Sequence, residues 1–170
     1  MQFAAIVFLS VLAAVSYGVV HDQITARVCL EYFTIAHPRL ILSTSPTVLG
    51  LFWGVVATWW VGVLLGVPLA IAARAGRRAK LPWRQFRRPI LCLLAVMAGC
   101  AALAGFITWI SSRCSDPVYL ADLTGTKIPP HLRARFLAAA AAHLTSYGAG
   151  FIGSIILAIR TLWRRAHSVT

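Results

Sequence analysis

Residues 47–89 decide the fold: TVLGLFWGVVATWWVGVLLGVPLAIAA (47–73) is followed by RAGRRAKLPWRQFRRP (74–89). The first part has no charged side chain. It is long enough to cross a bilayer, since a helix rises about 1.5 Å per residue and the hydrocarbon core is about 30 Å thick. The second part has seven Lys or Arg and no acid. This contrast is typical of a transmembrane helix that ends in a basic cytoplasmic loop.

Three further apolar runs cover residues 3–20, 90–110 and 136–159. Of the 170 residues 59% are hydrophobic and only 12% charged, which is too little charge to cover a soluble domain. The first run could be a signal peptide, but no Lys or Arg precedes it and its cleavage site is weak. The sequence therefore predicts a single all-α domain, a polytopic integral membrane protein with four transmembrane helices.

The charges are divided unequally between the two predicted faces. The loop 74–89 and the C-terminal tail together carry ten Lys or Arg and no acid, a net charge of +10. The connections 21–46 and 111–134, with Arg135 beside them, carry all four acids and a net charge of +2. Because basic loops stay in the cytoplasm, we expect both termini to be cytoplasmic and the two acid-bearing connections to form an outward-facing cap, mainly between spans 1 and 2.

The total net charge of +12 does not indicate a nucleic-acid partner, since no nucleic-acid-binding motif accompanies it. Basic residues next to a span bind anionic lipid headgroups instead, at about 1 kcal/mol each. The candidate headgroup ligands are Arg77, Arg78, Lys80, Arg84, Arg87 and Arg88.

The segment YGVVHDQITARVCLEYFTIAHP (17–38) concentrates imidazole and carboxylate groups beside a span. These groups are the usual ligands of Zn, Fe, Mn or Cu, and they also serve as general acids and bases. On one continuous helix they would point in different directions, so a site requires the chain to fold back or to use the second outer segment. The competing interpretations are an interfacial amphipathic helix with an Arg27–Glu31 pair, or a strand.

His143 is the one ionisable residue well inside a predicted span, and Ser146 and Tyr147 share its helical face. Polar side chains at membrane depth usually point toward a partner inside the bundle. His143 is therefore a metal or haem ligand, a proton-relay group, or a neutral histidine hydrogen-bonded across helices, and the sequence does not choose between these roles.

The glycines predict close helix packing, and two of the cysteines permit a disulfide. Gly50, Gly54, Gly62 and Gly66 lie four apart in pairs, which allows close helix packing; packing within the chain is favoured over an oligomer interface. Cys29 and Cys114 both lie on the predicted outer side, where an oxidising compartment would permit a disulfide. Free thiols are the alternative.

The segment 17–38, with AHLTSYGAGFIG at 142–153, resembles a group of uncharacterised small bacterial four-span membrane proteins. No activity is known for that group. The resemblance implies only a bacterial plasma membrane, that is, the cell inner membrane.

The sequence thus predicts an outward-facing polar site that binds a metal such as Zn or Fe or relays protons. Its candidate residues are His21, Asp22, Glu31, His37, Asp122, His131 and His143, supported by Arg27, Ser146 and Tyr147. The alternative is a non-catalytic accessory or scaffold subunit that associates with other membrane subunits or with itself. A transporter is the weakest hypothesis, since no span carries an acid at mid-depth. Whether the protein is an enzyme stays open.

Overall fold

The computed structural model describes residues 1–124 and 127–167, without the side chains of residues 118, 120, 122 and 123. Four stretches are helical, long and apolar enough to cross a membrane: Gln2–Val28, Pro46–Arg74, Trp83–Arg113 and Pro130–His167. No strand occurs within the described residues. The predicted all-α architecture with four spans is confirmed.

The helices are α1 (Gln2–Val28), α2 (Glu31–Thr34), α3 (Pro46–Val56), α4 (Trp59–Arg74), α5 (Arg87–Arg113), α6 (Pro117–Thr124) and α7 (Arg133–His167). Two short 3-10 turns, Trp83–Phe86 and Pro130–Leu132, precede α5 and α7. Pro46 and Pro130 open their elements because proline is tolerated in the first turn, where its missing N–H has no intrahelical partner.

The first span extends beyond the apolar run that predicted it. The helix continues from residue 20 to Val28, so His21 and Asp22 belong to α1 and not to the connecting segment. The Thr25 hydroxyl donates to the His21 carbonyl within the helix, at 3.0 Å. The polar residues can remain helical at this depth because Asp22 finds a partner on another helix.

The second span, predicted as one continuous helix, consists of α3 and α4. At the break, the Thr58 hydroxyl donates to the Gly54 carbonyl four residues earlier. The Thr58 backbone N–H turns to the Val55 carbonyl three residues earlier, at 3.2 Å. Such back-bonding by threonine competes with the regular ladder and bends helices, which explains the break.

The four spans form two packed units. In the first unit α1 lies along α3 and α4, and in the second α5 lies along α7. The glycines of the second span make the first unit tight: a Cβ on Gly54 would come within 2.6 Å of Val19 N, and one on Gly62 within 2.5 Å of Val11 Cα. These glycines therefore serve packing within the chain, as the sequence favoured.

The connections meet in pairs at opposite ends of the bundle. At the cap end, which comprises residues 29–45, 114–124 and 127–132, the ring of Tyr32 lies 5.7 Å from that of Phe136. At the basic end, which comprises residues 75–86, the start of α1 and the end of α7, the Trp83 backbone N–H donates to Gln2 Oε1 at 3.1 Å. An apolar cluster closes this end: Ile6, Leu69, Ala70, Ala73, Phe86 and Ile90.

Arg165 connects α7 to the end of α4 at the basic end, a role that the sequence did not predict. Its side chain is only 3% exposed. Its guanidinium donates to the carbonyls of Ala72, Ala75, Arg78 and Ala79, at 2.6, 2.7, 3.2 and 2.7 Å respectively. Two of these carbonyls terminate α4, where orphan C=O groups need a donor. Arg165 therefore joins α7 to α4 and to the basic loop.

Candidate functional site

The centre of the site is a buried contact between α1 and α7. His143 Nε2 lies 3.0 Å from Asp22 Oδ1, and both residues are less than 9% exposed. The two residues are 121 positions apart in sequence, so the contact holds the two packed units together near the cap end. A buried carboxylate is tolerated only where it is paired.

The hydrogen bonds of His143 determine how many protons this pair holds. Its Nδ1 lies 2.9 Å from the Ala139 carbonyl oxygen, which only accepts, so Nδ1 carries a hydrogen and donates it. The contact with Asp22 then needs one proton, bound either to Nε2 or to the carboxyl group. Either way the pair has no net charge, which lowers the free energy of keeping it within a membrane-spanning region.

His21 completes the cluster but has no hydrogen bond at one of its nitrogens. Its ring stacks on Tyr17, with centroids 5.7 Å apart, and meets the His143 ring edge-on at 4.5 Å. Its Nε2 is buried and finds no hydrogen-bond partner among the described residues. Leaving a buried polar group unsatisfied costs about 1–3 kcal/mol, so a ligand bound at this nitrogen would be stabilising.

The three residues match the donor set of a transition metal. One ligand atom from each of His21, Asp22 and His143 lies within 4.8 Å of the other two. A tetrahedral Zn²⁺ site with ligands at 2.0–2.1 Å needs separations of about 3.4 Å, so side-chain shifts of about 1 Å would close the site. Histidine ligands usually donate their second nitrogen to a carbonyl, as His143 Nδ1 already does to Ala139.

Two tyrosines and a serine surround the cluster. The Ser146 hydroxyl donates to Tyr17 Oη at 2.8 Å, a second polar contact between α7 and α1. The Tyr32 ring covers the cap side of His143, with centroids 4.5 Å apart. Burial raises the pKa of the Tyr32 hydroxyl to about 12, so this group stays neutral at physiological pH.

A cavity of about 250 Å³, the central cavity, opens from the cluster into the middle of the bundle. His21, Asp22 and His143 line one part of it, and Leu69 and Ile90 line the part nearest the basic end. A metal held by the three residues would therefore keep a coordination position open toward this cavity. Three protein ligands with one open position are typical of a catalytic metal site, and four protein ligands of a structural one.

Comparisons with models of protein families, with curated proteins and with solved structures returned no match. The function must therefore be inferred from the chemistry of the cluster and its surroundings.

Glu31 and His37 belong to a separate layer of the cap end. Glu31 accepts from the Cys29 thiol, at 3.6 Å. His37 Nδ1 contacts the Tyr32 carbonyl at 2.8 Å, and its ring lies 4.7 Å from that of Trp53. Tyr32 stands between the two histidines, so the structure does not bring Glu31 and His37 into the cluster around His143.

The second outer segment places no ligand in the cluster that the structure describes. His131 is exposed on the 3-10 turn before α7, and Asp116 is exposed just before α6. The side chain of Asp122 lies outside the described residues, so its predicted role as a ligand stays a prediction. Tyr147, predicted as a supporting residue, lines the central cavity.

Arg27 does not form the helical pair with Glu31 that one interpretation required. Its guanidinium donates to Gln23 Oε1 at 2.7 Å and to Thr47 Oγ1 at 2.9 Å. The reason is that α1 ends at Val28, which removes the regular spacing between residues 27 and 31.

The possible disulfide between Cys29 and Cys114 is not formed; both are free thiols. Cys29 is buried beside Glu31, whereas Cys114 is exposed after α5. Burial raises the pKa of the Cys29 thiol to about 11.

Tyr17 and Tyr32 also belong to the site, although the sequence did not predict them as site residues. Tyr17 precedes His21 by four residues, so helical spacing already put it on the same face. Tyr32 gave no such signal, because its position follows from the turn at Cys29 and Leu30 between α1 and α2.

Proposed function

We propose that this membrane-spanning protein binds one divalent transition-metal ion, of the Zn²⁺ or Fe²⁺ type, through His21, Asp22 and His143. The observation that carries the proposal is the grouping of His21, Asp22 and His143, which each offer one ligand atom within 4.8 Å of the other two. In addition, His21 Nε2 is buried and has no hydrogen-bond partner among the described residues. Two histidines and one carboxylate with open positions are a ligand set found for zinc and for non-haem iron.

The ion would act at the open coordination position that faces the central cavity. Bound there, a metal polarises a carbonyl or phosphoryl oxygen, or lowers the pKa of a water ligand. Asp22 and the two histidines would fix the ion, and Tyr17 would orient His21 through the stacked rings. The cavity beside the three residues supports this placement.

The pair Asp22–His143 makes metal binding depend on pH. A metal on His143 Nε2 must displace the proton shared with Asp22, so binding should release that proton to solution. Zn²⁺ affinity is therefore expected to fall as the pH is lowered. Proton release on mixing can be measured with a pH indicator in weakly buffered detergent solution.

Elemental analysis and thermal melting test the site directly. The full chain, purified in detergent and stripped with a chelator, is titrated with Zn²⁺. We expect one Zn²⁺ per chain and a rise in melting temperature for the wild type, and a loss of both for His21→Phe. This variant keeps the Asp22–His143 contact and removes the unsatisfied nitrogen, so without metal it should be at least as stable as the wild type.

Exposed His131 provides the matched control, since His131→Ala should keep full Zn²⁺ binding. The proposal would be wrong if the wild type bound no stoichiometric Zn²⁺ or Fe²⁺. It would also be wrong if His21→Phe and the wild type bound Zn²⁺ equally well.

A second candidate function, proton transfer, is favoured by the single proton shared between Asp22 and His143. In liposomes with an imposed pH gradient, a proton pathway predicts leakage that Asp22→Asn abolishes. Leakage equal in both proteins, or absent from both, contradicts this candidate.

We further propose that the protein resides in a bacterial inner membrane with the basic end in the cytoplasm. The charge difference between the two faces supports this orientation. The six predicted headgroup ligands in residues 77–88 are all exposed, which suits binding to an anionic surface. A membrane-impermeant maleimide should label exposed Cys114 from outside the cell, and should not label a cysteine introduced as Arg78→Cys; the opposite pattern would reverse the topology.

The alternative of an accessory or scaffold subunit rests on glycine-rich helix faces and the lipid-binding loop. The glycines of the second span face α1 within the same chain, whereas Gly148 of α7 has nothing within 4 Å of an added Cβ. Association with other subunits or with a second copy stays a proposal. Native-gel migration of the purified protein tests it.

A further inference from the structure

A second cavity lies between α1, α5 and α7 in the half of the bundle nearest the cap end. Its volume is about 620 Å³. Small residues form its floor, including Ala98, Ala102 and Gly105 of α5 and Ala138 and Ala142 of α7. At Gly105 the two helices are in close contact, since an added Cβ would lie 3.3 Å from the Ala138 carbonyl oxygen. We call this space the α1–α5–α7 groove.

The groove opens toward the surface that contacts lipid. Val20 and Ile24 of α1 and Phe106 of α5 line it, and they are 61%, 60% and 56% exposed. These residues lie in stretches that are long and apolar enough to cross a membrane. An apolar groove that opens sideways in a bilayer is filled by hydrocarbon, since lipid chains are the solvent there.

The end of the groove nearest the cap carries positive charge. Arg135 is exposed and lies on the same face of α7 as Ala138, Ala139 and Ala142, at spacings of three, four and seven residues. Arg27 also lines the groove, although its guanidinium is bound to Gln23 and Thr47. The groove therefore combines an apolar floor with a cation at the headgroup level.

We infer that the α1–α5–α7 groove binds one anionic glycerophospholipid, with the phosphate at Arg135 and an acyl chain along the alanines of α7. From Arg135 to Ala142 the helix descends about 10 Å, which keeps the chain in one leaflet. Arginine suits the phosphate because its planar guanidinium can donate two hydrogen bonds to it. Lipid binding does not require the proposed metal, because Asp22 and His143 do not line the groove.

The inferred lipid would also contact the site. Tyr17 and His21 line both the α1–α5–α7 groove and the central cavity, so their rings separate the two spaces. A lipid in the groove therefore covers the lipid-facing side of His21 and leaves the central cavity open.

Photo-crosslinking tests the inference. The full chain in liposomes is exposed to phosphatidylglycerol that carries a diazirine on its acyl chain, and the labelled peptides are identified by mass spectrometry. We expect labelling concentrated in residues 20–28 and 98–109, and a reduction of at least fivefold in Ala102→Leu, which fills the groove. Ala95→Leu is the matched control: Ala95 is also exposed on α5 but does not line either cavity.

The phosphate contact needs its own measurement, by native mass spectrometry with phosphatidylglycerol. Arg135→Ala should weaken retention of one tightly bound lipid about tenfold, and Arg160→Ala, exposed at the other end of the same helix, should not. Diacylglycerol and inorganic phosphate should compete poorly. Uniform labelling around the bundle, equal labelling in Ala102→Leu and Ala95→Leu, or equal lipid retention in the two arginine variants would overturn the inference.

Discussion

The two sides of α1 are packed in opposite ways. On one side, α1 meets α3 and α4 so closely that an added methyl group on Gly54 or Gly62 would collide with backbone. On the other side, cavities of about 250 and 620 Å³ lie beside α1, and α1 reaches α7 through polar contacts such as Asp22–His143 and Tyr17–Ser146. The polar site therefore lies where the helices are not tightly packed, which leaves room for a ligand.

Stability should fall most when Arg165 is replaced, because this residue holds the two units together at the basic end. Arg165→Ala removes one buried cation and leaves its carbonyl partners without that donor. We expect a loss of about 2–4 kcal/mol in the free energy of unfolding. Exposed Arg164→Ala is the control and should change little. Thermal or denaturant unfolding in detergent gives both values; equal stability of the two variants would contradict the role given to Arg165.

The next prediction compares Gly54, which packs against α1, with Gly148, which lies on an open face of α7. Gly54→Ala should lower the free energy of unfolding by about 1–3 kcal/mol, because the methyl group forces α1 and α3 apart. Gly148→Ala, where nothing lies within 4 Å of the added carbon, should raise it by about 0.5–1 kcal/mol through helix propensity. If both variants change stability in the same direction, the close contact between Gly54 and α1 is contradicted.

A smaller effect is expected at the hydrogen bond between Tyr17 of α1 and Ser146 of α7. Tyr17→Phe removes the hydrogen bond with Ser146 and should cost about 1 kcal/mol. Tyr119→Phe, at an exposed position in α6, should cost nothing measurable. The same unfolding measurement compares them, and an unaffected Tyr17→Phe protein would show that this contact does not join the units.

Two of the four free thiols, Cys29 and Cys114, differ in burial and should therefore differ in reactivity. Cys29 is buried with a raised pKa of about 11, so it should react with iodoacetamide far more slowly at pH 8 than exposed Cys114. Because the neutral thiol is favoured in the folded protein, its contribution to stability is present below pH 9 and is lost as the pH rises toward 11. Peptide mapping after alkylation measures the two rates, and equal rates would show that Cys29 is accessible.

The sequence predicted the spans because they depend on local properties, namely length, apolar composition and flanking charge. It misplaced the end of α1, since His21 and Asp22 look like a polar connection until their partner on α7 is known. It also missed the break before Trp59, where a single hydroxyl competes with the helical hydrogen bonds. Both differences come from contacts that periodicity does not encode.

For the site, the sequence supplied the right residue types but not their grouping. It proposed seven candidate ligands, of which His21, Asp22 and His143 come together in the structure. The Tyr32 ring lies between His37 and His143, and Glu31 contacts Cys29; both arrangements depend on how the chain turns after α1. Arg165 went unrecognised because its partners are backbone carbonyls, which are present at every position of a sequence.

The pairing of Asp22 with His143 has a consequence for biosynthesis. The partners are separated by 121 residues, and a ribosome adds about 5–20 residues per second, so α1 waits about 6–24 s for α7. During that interval the aspartate lacks its partner on α7, so we expect this part of α1 to remain near the bilayer surface. The final helix therefore does more than complete the bundle, because its arrival allows the first helix to settle at full depth.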